Sequence, residues 1–498
     1  MRHVVVRSLR PVVSAVIVLV LAAVVRLSAA GTPASLVDAV KRHDRTAVRA
    51  LLKQHVDANG READGTTALH WAVWGDDGEL AAMLIGAGAN VRAVNRYGIT
   101  VLSLAAANGN DAIVTALLDA GADPDSASPE GETALMTAAR AGARAVAIAL
   151  LDRGADVNAR EHWLGETALM WAAAEDYADV VGALVERGAD LDVRSVAQRF
   201  APFRFNLATM VNTELPRGSL TALMLAARQG ALDATRALTD AGASLNLADP
   251  DGTSALVLAI INGHYDVAAL LADRGADPNV ADTSGMAALY AAVDMHTQPP
   301  MINRPTRKSS GGVDNLALLR TLLDRGADVN AALKAPLLAR YHNTGDGQLG
   351  AGATPLMRAA KSVDVPAMRL LAERGADAGR KTRTGTTALM FAVGGSRGKP
   401  DEDVNEAIRL CVSRGADVNA TNGTGQTALH LAVEQSDVAI RALVSNSARL
   451  DIKDNQGRTP LDLARGDAPA GRGARPRQAD AREATAALLR ELEQQSTR

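Results

Sequence analysis

The chain is 498 residues long, enough for about three ordinary domains, yet its 47% apolar content is carried by Ala, Val and Leu, with only 3% aromatic residues. That composition suits thin, helix-rich layers and excludes one thick aromatic core. A formal net charge of -3 leaves no global basic field, which argues against nucleic acid as a partner.

At the N-terminus Arg2, Arg7 and Arg10 precede an uncharged apolar run, residues 11–25, and the small residues Ser28 and Ala30 follow. This order reads as a secretory signal peptide over residues 1–30. The run is shorter than the roughly 20 residues that a membrane-crossing helix needs. The expectation is a mature chain beginning near Gly31 in the periplasm or secreted; an inner-membrane anchor at residues 11–25, left uncleaved, is the alternative. Arginine far outnumbers lysine, which points to a GC-rich bacterial source. The single cysteine, Cys411, rules out an intrachain disulfide, so packing alone must stabilise the fold.

The next element, "LVDAVKRHDRTAVRALLKQHVD" from Leu36, is a charged and degraded version of a unit that then recurs. Its marker is "RGADVNA" and relatives, whose glycines fall at Gly88, Gly121, Gly154, Gly188, Gly242, Gly275, Gly326, Gly375 and Gly415. The steps are 33, 33, 34, 54, 33, 51, 49 and 40, a 33-residue period with four enlarged intervals. Between the markers stand "GTTALHWAV" from Gly65, "GETALMTAA" from Gly131, "GETALMWAA" from Gly165 and "GQTALHLAV" from Gly425. Thr opens a helix by capping free N–H groups. A second helix such as "DAIVTALLDA" from Asp111 buries Ile, Val and Leu at helical spacing, Gly ends it, and Asp and Asn turn the chain.

These residues resemble ankyrin repeats from about residue 34 to 464. The resemblance implies an all-α solenoid of helix-turn-helix units joined by β-hairpin turns, about twelve units with both caps, binding partners through hairpin tips and the inner helix row. As a whole the chain is similar to exported bacterial members with lengthened hairpins. The implied organisation is an N-terminal capping repeat at 31–63, repeats at 64–454, and a C-terminal capping repeat at 455–498 with a disordered spacer at 465–480. The family's "TPLH" is altered: its His survives at His70 and His430, and Met replaces it at Met136, Met170, Met224, Met357 and Met390. In the family that His ties hairpins together, so its loss is expected to loosen the network.

Along the repeats, Trp71, Trp171 and Phe391 share one slot after "TALH" or "TALM", which assigns them to packing. Tyr97 and Trp163 precede a unit's first Gly and fall at hairpin tips, where contact residues are expected. The enlarged steps place insertions at 195–216, 297–313, 331–350 and 395–403; the first three together carry a charge of +5. Loops beyond about 12–15 residues are usually functional or disordered. In the first, Phe200, Phe203 and Phe205 interleave with Arg199 and Arg204 and hold three of the chain's four phenylalanines. Burying one Phe is worth roughly 1.5–3 kcal/mol, so these rings either pin the loop to the solenoid or anchor a partner.

Catalytic signatures are missing: no HExxH, CxxCH, Walker loop or GxSxG occurs. "GDGQLG" from Gly345 matches GxGxxG but follows no predicted strand. Cys411 falls at a Leu slot, and His70, His264 and His430 at frame positions, so all read as structural. Arg465-Gly466-Asp467 reads as a chance tripeptide within a basic spacer. The expectation is a non-catalytic, monomeric scaffold with no cofactor and no metal, whose partner is a protein. The alternatives are an anionic glycan or lipid head group held by the basic insertions, and an enzyme whose site is built from them.

Overall fold

The computed structural model describes residues 35–197, 218–297, 311–337, 348–466 and 479–496. Within them the chain forms twelve successive helix pairs. The first six are α1 (Leu36–Lys41) and α2 (Arg45–Lys53), α3 (Ala68–Trp74) and α4 (Gly78–Gly86), α5 (Val101–Asn108) and α6 (Asp111–Asp119), α7 (Ala134–Ala141) and α8 (Arg144–Asp152), α9 (Ala168–Ala174) and α10 (Ala178–Glu186), and α11 (Ala222–Gln229) and α12 (Leu232–Asp240). The others are α13 (Ala255–Ile261) and α14 (Tyr265–Asp273), α15 (Ala288–Thr297) and α16 (Asn315–Asp324), α17 (Pro355–Lys361) and α18 (Val365–Glu373), α19 (Ala388–Gly394) and α20 (Asp401–Ser413), α21 (Ala428–Ala432) and α22 (Asp437–Ser445), and α23 (Pro460–Arg465) and α24 (Ala479–Ser496).

Each pair is punctuated as its residues require. The Thr67 hydroxyl accepts the N–H of His70, and Thr100, Thr133, Thr167, Thr221, Thr354, Thr387, Thr427 and Thr459 cap their helices in the same way. After each second helix from α4 to α20 comes a marker glycine with φ between 84° and 92°, a conformation that a side chain would strain. At the two ends of the array His55 (φ 59°) and Ser447 (φ 70°) take that position without being glycine.

The first helices stack on one another in one row and the second helices in another, so the core is shared between neighbours and no unit encloses its own. Small residues at one slot of the inner row, Ala72, Ala105, Ala138, Ala172, Ala226 and Ala259, are completely buried and let helices approach closely. The outer row contributes Leu84, Leu117, Leu150, Leu184, Leu238 and Leu271, equally buried. Cys411 occupies this same outer slot, and burial pushes its thiol up to about 12.

Units are also tied at their hairpins. Five tips close with an isolated antiparallel bridge, such as Val94 with Thr100. The Asn of "GADVN" spans to the next unit: Asn158 Oδ1 accepts the Asp190 N–H at 2.9 Å while its Nδ2 donates to the Gly188 carbonyl at 3.3 Å. Asn279, Asn330 and Asn419 repeat this two-handed bridge. An ion-pair staircase runs beside it, from Asp119–Arg153 and Asp152–Arg187 to Asp240–Arg274, Asp273–Arg325 and Asp324–Arg374. These pairs are exposed and each contributes little singly.

Enlarged steps leave the stack intact. Helix α9 packs on α11 across the first, and α15 on α17 across the two in the middle. The first excursion is closed at its base by Ser195 and Leu220, whose backbone N–H and C=O groups pair at 2.9 Å, and the third by Leu333 with Gly352 and Ala353. The fourth differs from the expected loop at 395–403: residues 401–403, all acidic, form the first turn of α20 and lengthen that helix to 13 residues. Carboxylates there face the positive end of the helix dipole, which is why the segment is helical.

Candidate partner-binding surface

Consecutive tips touch through their glycines. A side chain on Gly98 would strike Pro129, one on Gly131 would strike His162, and one on Gly165 would strike Val196. Backbone bonds join the same tips: the Arg96 N–H donates to the Asp64 carbonyl at 2.8 Å, His162 to Glu130 at 2.7 Å and Val196 to Leu164 at 2.6 Å. The tips before α3, α5, α7, α9 and α11 therefore form one continuous edge.

Tyr97 and Trp163 stand on that edge. The Asn95 side chain accepts the N–H groups of Tyr97 and Ile99, both at 3.0 Å, and Arg96 covers the Tyr97 ring at 4.9 Å while donating to its hydroxyl at 2.7 Å. At the other tip the Glu161 carboxylate accepts the N–H groups of Trp163, Leu164 and Glu166 at 2.6–2.9 Å. Rigid loops thus hold out exposed rings: Tyr97 is 52% and Trp163 77% exposed. Desolvating a ring so held costs little conformational entropy.

Sequence reasoning missed three companions. Trp74, Val94 and Val196 are also exposed, and with Val56 they complete the exposed large apolar residues among those described. All six belong to residues 56–196. Trp74 was legible only as the last residue of a helix; its ring stands edge-on to Trp71, with centroids 5.6 Å apart.

The shared slot of Trp71, Trp171 and Phe391 lies on inner helices. Trp71 and Phe391 are buried and Trp171 half-buried. What buries the indoles is polar as well as apolar. Lys41 sits 4.4 Å above the Trp71 ring and pairs with Glu62 at 2.5 Å, and Glu62 also accepts the Trp71 indole N–H at 2.5 Å. Three units on, Arg140 lies 4.8 Å above Trp171, and Glu166 accepts that indole N–H at 2.9 Å. Each clasp joins adjacent units through a cation, a ring face and a carboxylate.

The two retained histidines do tie hairpins. His70 Nε2 meets the Ile99 carbonyl at 3.3 Å and His430 Nε2 the Arg458 carbonyl at 3.0 Å, each one unit away. Burial lowers both pKa values. Where Met stands instead, the Met side chains are buried at 0–2% exposure; backbone bonds join the tips beside Met136, Met170, Met357 and Met390, as they do beside the two His, and beside Met224 the Arg194 guanidinium donates to the Ser219 and Ala248 carbonyls.

A second polar cluster marks the base of the 297–313 insertion. Arg358 and Asp294, each 8% exposed, pair at 2.6 Å across α17 and α15. His296 Nδ1 meets Asp364, whose hydrogen bond raises the histidine pKa. Asp364 also caps α18 through the Ala367 N–H at 3.2 Å. In "GDGQLG" the described part, residues 348–350, buries Leu349 in the core just before α17, and no named strand precedes it among the described residues. No group of three His, Cys, Asp or Glu able to hold a metal occurs among the described residues, and no helix there is long and apolar enough to cross a membrane.

The Phe-rich stretch with Arg199, Phe200, Phe203, Arg204 and Phe205 lies outside the described residues, as do residues 1–30 of the expected signal. Its two ends do not: Ala197 and Gly218 emerge next to Val196 on the aromatic edge.

A family profile described as ankyrin repeats (3 copies) matches residues 36–128, 102–195, 206–282 and 401–468. Among solved structures, the human ASB11 ankyrin repeat domain is 27% identical over 46% of this chain and 92% of that chain, with a TM-score of 0.38. No curated protein matches.

Proposed function

The chain belongs to the ankyrin-repeat family, and on that premise we propose that it is a non-catalytic scaffold whose hairpin edge and inner helices bind a protein partner. Tyr97 and Trp163 are the anchors, with Phe200, Phe203, Phe205, Arg199 and Arg204 completing the contact from the adjoining insertion. One observation carries this reading: every exposed large apolar side chain among the described residues falls within the first five units. Aromatic rings on rigid loops, flanked by arginine, are the residues that dominate interface energies. The protein acts in the periplasm or outside the cell after loss of residues 1–30, which N-terminal sequencing of the mature chain checks.

The test is capture of a partner from the native compartment by the full chain, followed by Tyr97→Ala with Trp163→Ala. We expect affinity for the captured protein to fall about 30-fold or more, as loss of a hot spot of about 2 kcal/mol or more implies, with the melting temperature unchanged. Binding that survives both substitutions refutes the anchor assignment.

A further inference from the structure

In the second half of the array one hairpin tip gathers exposed positive charge. Arg380, Lys381 and Arg383 are exposed, and Thr382 between the last two is buried; Lys381 stands at the foot of the tip and Arg383 in its turn. Lys381 bridges Thr387 across the tip. Neighbouring tips grip it from both sides: the Arg383 N–H donates to the Ala351 carbonyl at 2.8 Å, and the Gly423 N–H donates to the Thr384 carbonyl at 2.7 Å. Lys334, exposed on the preceding tip, is fixed by its N–H to the Ser284 carbonyl at 2.8 Å.

These cations are largely unsatisfied. Among the described residues Lys381 and Arg383 have no carboxylate partner, and Arg380 reaches only Asp377 at 3.8 Å and the Asn330 carbonyl at 3.0 Å. The exposed Thr384 hydroxyl lies between those of Thr382 and Thr386, at 2.9 and 3.2 Å, adding a neutral hydrogen-bonding group beside the charges.

We propose that Lys334, Arg380, Lys381 and Arg383 dock an extended acidic segment of a protein. The assignment rests on the scaffold reading above and adds a charge-selective contact to the aromatic one. Exposed cations on two adjoining tips complement a run of carboxylates in charge, and a segment without helical structure can lay successive carboxylates along them. A bilayer fits less well: each cation near an anionic surface is worth about 1 kcal/mol, and this tip has no exposed large apolar residue to enter lipid.

The experiment measures fluorescence anisotropy of a labelled peptide of about eight alternating Glu and Ser residues with the full chain. A Lys/Ser peptide and vesicles containing about one-fifth anionic phosphatidylglycerol serve as competing probes. The Glu/Ser peptide is expected to bind, Lys381→Ser with Arg383→Ser to weaken it about five- to tenfold, and the charge-keeping pair Lys381→Arg with Arg383→Lys to retain it. Raising salt from about 10 to about 100 mM, which shortens the Debye length from about 30 to about 10 Å, is expected to weaken it further. Equal binding by wild type and the Ser variant, or binding of vesicles in place of the peptide, overturns the proposal. Either result leaves the scaffold reading standing, because that reading is tested at Tyr97 and Trp163.

Discussion

Residues 35–197 and residues 218–496 build the same unit, yet they use its variable positions differently. The first five units keep steps of 33 and 34 and expose aromatic and aliphatic side chains, with Val94, Tyr97, Trp163 and Val196 at their tips. The later units carry the remaining excursions, a buried ion pair and a basic tip, and none of their described residues is an exposed large apolar one. The difference shows how a repeat separates stability from recognition. The slots that face neighbours are mostly Ala, Leu, Thr and Gly, while the slots that face outward vary more from unit to unit.

The largest effect we expect outside the binding tests comes from the second region. Asp294→Ala leaves Arg358 charged and buried without its partner, and breaking such a pair costs about 3–5 kcal/mol. Because a solenoid's stability is a sum of local terms, hydrogen exchange should speed up in α15 to α18 while the first five units stay protected. Uniform loss of protection over the whole chain would show that the two regions are one cooperative block.

A smaller change should act in the opposite direction. Ser447 is exposed at φ 70°, where nine other units have glycine, and its carbonyl still accepts from Asn419. Ser447→Gly removes left-handed strain and should stabilise the C-terminal units by about 0.5–1 kcal/mol, read as a raised denaturation midpoint. No change, or a lower midpoint, would mean that the backbone there relaxes without cost.

The smallest effect is a pH slope whose sign differs by site. His296 has a folded pKa raised by Asp364, so its contribution is complete below the unfolded value of 6.5 and is lost as pH rises through the folded pKa. Burial lowers the pKa values of His70 and His430, so their contributions are present above 6.5 and lost as pH falls. His296→Gln should therefore flatten only the loss of stability toward alkaline pH, measured by denaturant unfolding across that window; an unchanged slope would show that the pair does not couple to folding.

Much of this was legible in one dimension. The spacing of nine glycines located the second helices, Thr located the first, and Cys411 was placed in the core by the Leu slot it fills. The loss of His removes a side-chain bond that the letters do show; the backbone bonds between tips, present beside His and Met alike, are independent of side-chain identity and therefore invisible in the letters. The helical start at Asp401 was missed because three acidic residues after a proline resemble a loop until the helix dipole is considered.

The sequence by itself determined the unit, its period and its punctuation, since helix caps, left-handed glycines and helical spacing are local properties of a few neighbouring residues. Only the tertiary structure decided which outward side chains meet. Lys41 covers Trp71, Asp294 finds Arg358, and Tyr97 shares an edge with Trp163 because stacking brings residues tens of positions apart onto one surface. Such contacts depend on the rise and rotation from one unit to the next, a geometry that no single unit contains.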